Sequence, residues 1–168
     1  VERKHLGCLS VLCDASHGLT PSGETPLHIA AVMESVSCAQ AILDQKLVNV
    51  NATSTTRSTA LHMAALRGDM NMCKLLMQRG AKVNTTDDDG LTALHLAVAA
   101  SGSTSLVNYL IDQKANIALG DNQGATALHI AADAGSVPMV RLMLAKGAAI
   151  DDVTAERESP LFLACEHG

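Results

Sequence analysis

The chain has 168 residues, of which 48% are hydrophobic and 17% are charged, a composition that predicts a packed globular interior rather than an intrinsically disordered segment. The net charge is −5, so we expect no nucleic-acid partner and no attraction to anionic membranes. Because the sequence has no run of about 18 apolar residues and no signal peptide near its first residue, we expect no membrane contact and a cytoplasmic or nuclear location.

A six-residue motif recurs along the chain. It consists of Thr, then Pro or Ala, Leu, His, an aliphatic residue and Ala, and four copies start 34, 33 and 34 residues apart. A fifth copy, with Ser for Thr and Phe for His, follows after 33 residues. Such spacing indicates internal repeats. The copies are Thr25–Ala30, Thr59–Ala64, Thr92–Ala97, Thr126–Ala131 and Ser159–Ala164.

A second apolar block follows three of the motifs and has helical spacing. Gly80 and Gly147 stand where this second helix is expected to end, in the left-handed conformation that glycine adopts without strain. Lys114 takes that place in one copy. Each repeat is therefore predicted to run turn, helix, turn, helix, loop. The blocks are Met72–Ala81, Leu106–Ile111 and Met139–Ala148.

The motif and its period resemble those of the ankyrin-repeat family, and the resemblance covers nearly the whole chain. It implies an all-α solenoid of helix-turn-helix repeats with β-hairpin-like finger loops. One ankyrin-repeat domain then spans 1–168. Because solenoids need polar-faced capping repeats and neither end supplies a complete one, we expect the chain to be part of a longer array or of a longer protein. The implied repeats are 20–53, 54–86, 87–120 and 121–153, flanked by partial repeats at 1–19 and 154–168.

The resemblance also implies a structural role for the motif's Thr and His, which hydrogen-bond each other and the neighbouring loop. A metal site is the alternative, but histidines one repeat apart lie in different layers and no HxxxH or HExxH pair occurs. We expect neither a metal nor a cofactor. These bracing histidines are His28, His62, His95 and His129.

The sequence contains no motif that indicates catalysis or disulfide chemistry. The chain lacks a GxSxG elbow, a phosphate-binding loop and a GxGxxG turn, so we expect it not to be an enzyme and to have no catalytic residues. Its five cysteines form no CxxC pair, and we expect them all to be reduced, core-filling thiols. They are Cys8, Cys13, Cys38, Cys73 and Cys165.

Stacked repeats present one concave surface to partners. In the ankyrin family the variable positions of that surface are the finger tips and the exposed end of the first helix. Met33 and Leu66 are candidates for its apolar anchor. The partner-binding residues that we predict are Met33, Leu66, Arg67, Asp88, Asp89, Leu91, Asn122, Gln123, Asp133, Glu156 and Glu158.

Charge is distributed unevenly along the chain. Residues 1–84 hold eight Lys or Arg and six Asp or Glu, for +2, whereas residues 85–168 hold four and eleven, for −7. Several of these acids lie at or beside predicted finger tips. The pattern favours a partner with a basic segment, guided by electrostatic steering.

Two fingers depart from the family pattern. Arg57 and Arg157 replace a turn glycine at a position where positive φ is expected. Either each arginine is strained by about 1 kcal/mol, or its finger is reshaped.

We expect a monomeric protein-protein interaction module, an adaptor or scaffold that binds another protein or peptide. The alternative is a regulatory or substrate-recruiting region of a larger enzyme, such as a ubiquitin-ligase subunit, or of a channel. A pathogen effector is a third reading. Fold alone does not choose among them.

Overall fold

The computed structural model describes residues 20–46, 48–100 and 103–167. Within these ranges the chain is all-α, with nine helices and two isolated antiparallel bridges, Thr53–Thr59 and Gly120–Thr126, that close finger loops. The partial repeat predicted at 1–19 lies outside the described residues. The helices are α1 Pro26–Val32, α2 Val36–Asp44, α3 Ala60–Leu66, α4 Met70–Gln78, α5 Ala93–Ala99, α6 Thr104–Asp112, α7 Ala127–Asp133, α8 Val137–Ala145 and α9 Pro160–His167.

Each six-residue motif opens the first, inner helix of a repeat. The motif's Thr has an extended backbone at the N-cap, as at Thr25 (φ −86°, ψ 164°), and the next residue begins a seven-residue helix. Pro26 occupies the first helical turn, where its missing N–H costs nothing. A nine-residue outer helix follows in each of the four full repeats.

The outer helices end as the glycine pattern predicts. Gly80 has φ 88° and Gly147 has φ 89°, and the N–H of Ala81 reaches back to the carbonyl of Leu76 at 3.0 Å, which is the long bond of a Schellman cap. Lys114 takes the same conformation at φ 71°. A Cβ built on Gly80 would meet nothing within 4 Å. The position therefore selects glycine for its backbone conformation rather than for space.

The contacts divide the chain into two compact units that join between Lys82 and Val83. In the first unit α1 packs against α2 and α3, and α4 packs against α2 and α3. In the second unit α7 packs against α5, α8 and α9, while α6 packs against α5 and α8. The motif's Leu is almost fully buried in every full repeat and forms the centre of each core, and alanines let the helices approach closely. These leucines, 1% or 2% exposed, are Leu27, Leu61, Leu94 and Leu128.

The cysteines do not all match the expectation. Cys73 is a buried free thiol, and burial, with a smaller effect of Asp69, raises its pKa to about 12. Cys165 is also free but exposed, so it does not fill a core. Cys38 is disulfide-bonded, which corrects the prediction of a reduced thiol there. Cys8 and Cys13 lie outside the described residues.

Candidate partner-binding surface

The motif's Thr and His form the predicted brace. The backbone N–H of Thr25 donates to Nδ1 of His28 at 3.1 Å, and the Thr25 hydroxyl lies 2.8 Å from the same nitrogen. Because Nδ1 accepts a backbone N–H, it carries no proton, and Nε2–H donates to the carbonyl of Ser58 at 2.9 Å. His28 thereby ties its own helix to the finger of the next repeat.

The same brace recurs in the second unit with a difference between copies. Nε2 of His129 lies 3.1 Å from the carbonyl of Asp152 and 3.2 Å from that of Glu158. Nε2 of His95, only 1% exposed, has no partner within hydrogen-bond geometry among the described residues. The carbonyls of Leu119 and Ala125 take the corresponding positions and raise its pKa through weaker interactions, but desolvation outweighs them and the pKa of His95 is lowered. The Thr-His pairs are thus structural, and burial favours the neutral form of His28 and His95 by lowering their pKa.

Finger loops within a unit are linked to one another through their backbones. The N–H of Thr55 donates to Ser22 at 3.0 Å in the first unit. In the second, the N–H of Asn122 donates to Asp89 at 3.0 Å and that of Ala155 donates to Gln123 at 2.7 Å. Neighbouring tips are therefore held in register.

In the first unit, the predicted binding residues lie at the ends of inner helices. Met33 is the C-cap residue of α1 and is 65% exposed, while Leu66 ends α3 and is 49% exposed. Arg67, the C-cap residue of α3, is also exposed. Since α1 and α3 pack together, Met33 and Leu66 occupy equivalent ends of neighbouring helices.

In the second unit, four of the predicted residues line one groove with a volume of about 420 Å³. It lies between the finger around Gln123 and the finger at 154–158, above α7 and α9. The four residues are Gln123, Asp133, Glu156 and Glu158.

Four other predicted residues lie outside this groove. Asp88 and Asp89 are exposed on the preceding finger, where Leu91 is half-buried. Asn122 is exposed, but its side-chain amide donates to the carbonyl of Asp88 at 2.7 Å. Asn122, which was predicted only to bind a partner, thus also makes a structural contact between two fingers.

The residues that form the floor of the groove were not predicted from the sequence. Ile130 and Leu163 line it together with Ala125, and all three are half-buried. Ile130 and Leu163 stand at the fifth position of the six-residue motif, which is aliphatic in every copy. The apolar residue at this position in every copy was the only sequence signal of the floor, and the sequence does not show that the position is half-buried.

Two asparagines that brace the loops were also missed. The amide of Asn51 donates to the carbonyl of Gly80 at 3.1 Å, and its oxygen accepts from the N–H of Lys82 at 2.8 Å. Asn84 makes the same pair of bonds to Lys114 and Asn116. Their recurrence 33 residues apart, each after a valine, was the available signal.

Two further features of the described residues bear on the site. No group of three or more His, Cys, Asp or Glu side chains is arranged there to hold a metal ion. In the same part of the chain, no helix combines the length and the apolar character that crossing a bilayer requires.

Known proteins resemble this chain along most of its length. A family model described as ankyrin repeats (3 copies) matches residues 45–121 and 98–168, and a model of the single ankyrin repeat matches residues 22–55. The nuclear factor NF-kappa-B p105 subunit of Gallus gallus is 30% identical over 149 residues, which are 86% of this chain and 15% of that protein.

Other relatives match about half of the chain. The E3 ubiquitin-protein ligase KEG of Arabidopsis thaliana is 38% identical over 88 residues, covering 52% of this chain and 5% of the ligase. Ankyrin repeat and SOCS box protein 18 of Homo sapiens is 37% identical over 83 residues, covering 49% of this chain and 18% of that protein. The chain therefore spans less than a fifth of the length of each of these three relatives.

Ankyrin repeats are a non-catalytic fold that generally mediates protein-protein interaction, and these relatives carry theirs as regions of larger proteins. Four observations indicate the same family: the recurring motif, the Thr-His braces, the paired helices and the family-model matches over residues 22–168. The chain belongs to the ankyrin-repeat family.

Proposed function

We propose that this chain is a protein-protein interaction module, an adaptor or scaffold, that binds a partner protein or peptide through its finger tips and inner-helix ends. The observation that carries the proposal is that repeated and variable positions differ in burial. The motif's Thr, Leu and His are buried in cores and braces in all four full repeats, whereas the finger tips and the inner-helix ends vary in sequence and are largely exposed. In a repeat protein the variable exposed positions are the ones available for recognition.

Exposed apolar side chains support an anchoring role in the first unit. Met33 and Leu66 sit at equivalent helix ends and remain 65% and 49% exposed. Binding energy usually concentrates in a few apolar residues that become buried at the centre of an interface. Methionine also adapts its shape to a partner at low cost.

Charge supports a basic partner in the second unit. Asp88, Asp89 and Glu156 are exposed on fingers, and Glu158, two residues after Glu156, is half-buried. A partner with a basic segment would be drawn towards these acids before contact and oriented by them. We further propose that the module works as a monomer in the cytoplasm or nucleus.

The names of two relatives favour a second candidate. One is an E3 ubiquitin-protein ligase, and another carries a SOCS box in its name. In this second proposal, the repeats recruit or regulate a substrate for a larger protein to which they belong. Both proposals use the same binding surface and differ in what is attached to it.

A pull-down from cell extract tests the surface. The wild-type chain is compared with Met33→Asp/Leu66→Asp and with a control that carries Gln40→Asp and Gln78→Asp, two exposed positions on outer helices. We expect quantitative mass spectrometry to find proteins that bind the wild type and the control but not the Met33/Leu66 variant. A second variant, with Lys at Asp88, Asp89, Glu156 and Glu158, tests the fingers. If both surface variants retain every protein that the wild type captures, the proposal is wrong.

A further inference from the structure

The groove in the second unit has the dimensions of a side-chain site. Its volume of about 420 Å³ is near the lower end of the range for small-ligand pockets. It is bounded by the fingers that carry Gln123 and Thr154–Glu158 and by side chains of α7 and α9. A space of this size accepts one long side chain with its flanking backbone, but not a helix.

The floor of the groove is apolar. Ile130 comes from α7 and Leu163 from α9, and these two helices pack against each other. Ala125 and Ala155 add small apolar surface from the two fingers. Such a floor gains stability when it is covered by a hydrocarbon chain.

The charged side chains described around the groove are acidic. Asp133, Glu156 and Glu158 line it, and no Lys or Arg among the described residues does, although Arg157 stands between the two glutamates in sequence. Neither Glu156 nor Glu158 forms an ion pair within the part of the chain that the structure describes. Two other acids there do have cationic partners, since Asp44 pairs with Arg79 at 2.9 Å and Asp112 with Lys146 at 3.0 Å.

His129 does not neutralise this charge. Although it lines the groove, its Nδ1 accepts from Thr126 and its Nε2 faces the carbonyls of Asp152 and Glu158. Both nitrogens are thus engaged in the brace. The glutamate carboxylates are left as the charged groups available to an incoming cation.

We propose that this groove binds an arginine side chain from an extended segment of the partner. The guanidinium lies against Glu156 and Glu158, and the aliphatic stem covers Ile130 and Leu163. Arginine fits better than lysine because its planar fork can pair with two carboxylates and it is more weakly hydrated. Long basic side chains commonly lay their stems along apolar surface in this way. The inference rests on the proposed function and specifies the partner's chemistry at one site.

Titration followed by NMR tests the proposal. The probes are acetylated, amidated pentapeptides of sequence Gly-Ser-Arg-Ser-Gly and its Lys and Gln analogues, at low salt. We expect the Arg peptide to shift resonances of Gln123, Ile130 and Leu163 and to bind at least threefold more tightly than the Lys peptide. The Gln peptide should leave these resonances unmoved. Equal effects of the Arg and Gln peptides would overturn the proposal.

A charge-matched pair of variants separates the site from net charge. Glu156→Gln/Glu158→Gln should weaken binding of the Arg peptide at least fivefold. Asp151→Asn/Glu166→Gln removes the same two charges from exposed residues that do not line the groove, and should weaken it less than twofold. Equal weakening by both would also overturn the proposal.

The peptide titration and the pull-down can refute the arginine site and the proposed function separately. If the Arg peptide does not shift the groove resonances while surface variants still lose captured proteins, the arginine site is wrong and the interaction module stands. If the surface variants lose nothing, the proposed function fails, whatever the peptide does.

Discussion

The finger turns place one residue in the left-handed backbone region in every described finger, whether or not that residue is glycine. Arg57 has φ 57° and Arg157 has φ 66°, so both keep the turn instead of reshaping it. The arginines therefore bear the strain that the sequence analysis considered as one of two outcomes. Glycines at the corresponding turns have φ between 70° and 80°: Gly23, Gly90 and Gly124.

Relief of this strain should stabilise the fold. We expect Arg157→Gly to raise the free energy of unfolding by about 1 kcal/mol, because the relief of left-handed strain exceeds the entropy that glycine adds to the unfolded chain. Arg157→Ala keeps the Cβ and should bring no gain. Urea denaturation measures both, and an Arg157→Gly variant no more stable than Arg157→Ala would contradict the account.

His95 makes stability depend on pH. Burial lowers its pKa below the usual 6.5, against weaker opposing effects of the Leu119 carbonyl and Asp121. At pH values between the lowered pKa of folded His95 and 6.5, the unfolded chain binds more protons than the folded protein does. The stability that neutral His95 contributes is therefore complete above pH 6.5 and is lost as the pH falls through the folded pKa. We expect the free energy of unfolding to fall between pH 7.5 and 5.5, and to fall less steeply in His95→Gln. Identical slopes for the two proteins would show that His95 is not held neutral by burial.

At the scale of the element, α9 differs from the other inner helices. Its Leu161 stands at the motif position of Leu128, yet Leu161 is 67% exposed and Leu128 only 1%. Leu128 belongs to α7, which packs against three helices, α5, α8 and α9. Among the described residues, the repeat that α9 opens has no outer helix to cover Leu161.

The two leucines give a matched test of packing. We expect Leu128→Ala to lower the free energy of unfolding by about 2–5 kcal/mol, since it empties a buried site. Leu161→Ala should cost less than about 1 kcal/mol, because the side chain is already exposed to water. Thermal or urea denaturation of the two variants provides the comparison, and equal losses would mean that Leu161 is covered in solution.

Sequence reasoning predicts what depends on local pattern. The period places the helix pairs, Thr25 predicts an N-cap, and Gly80 and Lys114 predict helix ends, because each follows from backbone chemistry within a few residues. The starts of the inner helices, the ends of the outer helices and the Thr-His brace therefore match the expectation.

Features that depend on distant residues were not accessible in this way. The groove exists because two fingers and two inner helices converge, and the surroundings of Nε2 of His95 are set by the distant finger residues Leu119 and Ala125. Likewise, nothing in the local pattern around Cys38 distinguishes its disulfide from the free thiol of Cys73. Distances between segments decide these outcomes, and a one-dimensional pattern carries no distances.

At the scale of the whole molecule, uneven charge should govern how quickly a partner is captured. Replacing Asp88, Asp89, Glu156 and Glu158 by Lys should slow association with a partner identified by pull-down, because steering by the acidic half is reversed. The difference should shrink as salt screens the charges. Stopped-flow association at low and high salt measures it. An unchanged rate at low salt would contradict electrostatic steering.

Binding through the finger tips and inner-helix ends is best tested by a hydrogen-exchange footprint of the chain bound to its captured partner. The account predicts slowed exchange in the finger loops 53–58, 87–91, 121–125 and 154–158, and little change along the outer helices α2, α4, α6 and α8. Protection confined to the outer helices would contradict it, because the partner would then bind neither the finger tips nor the inner-helix ends.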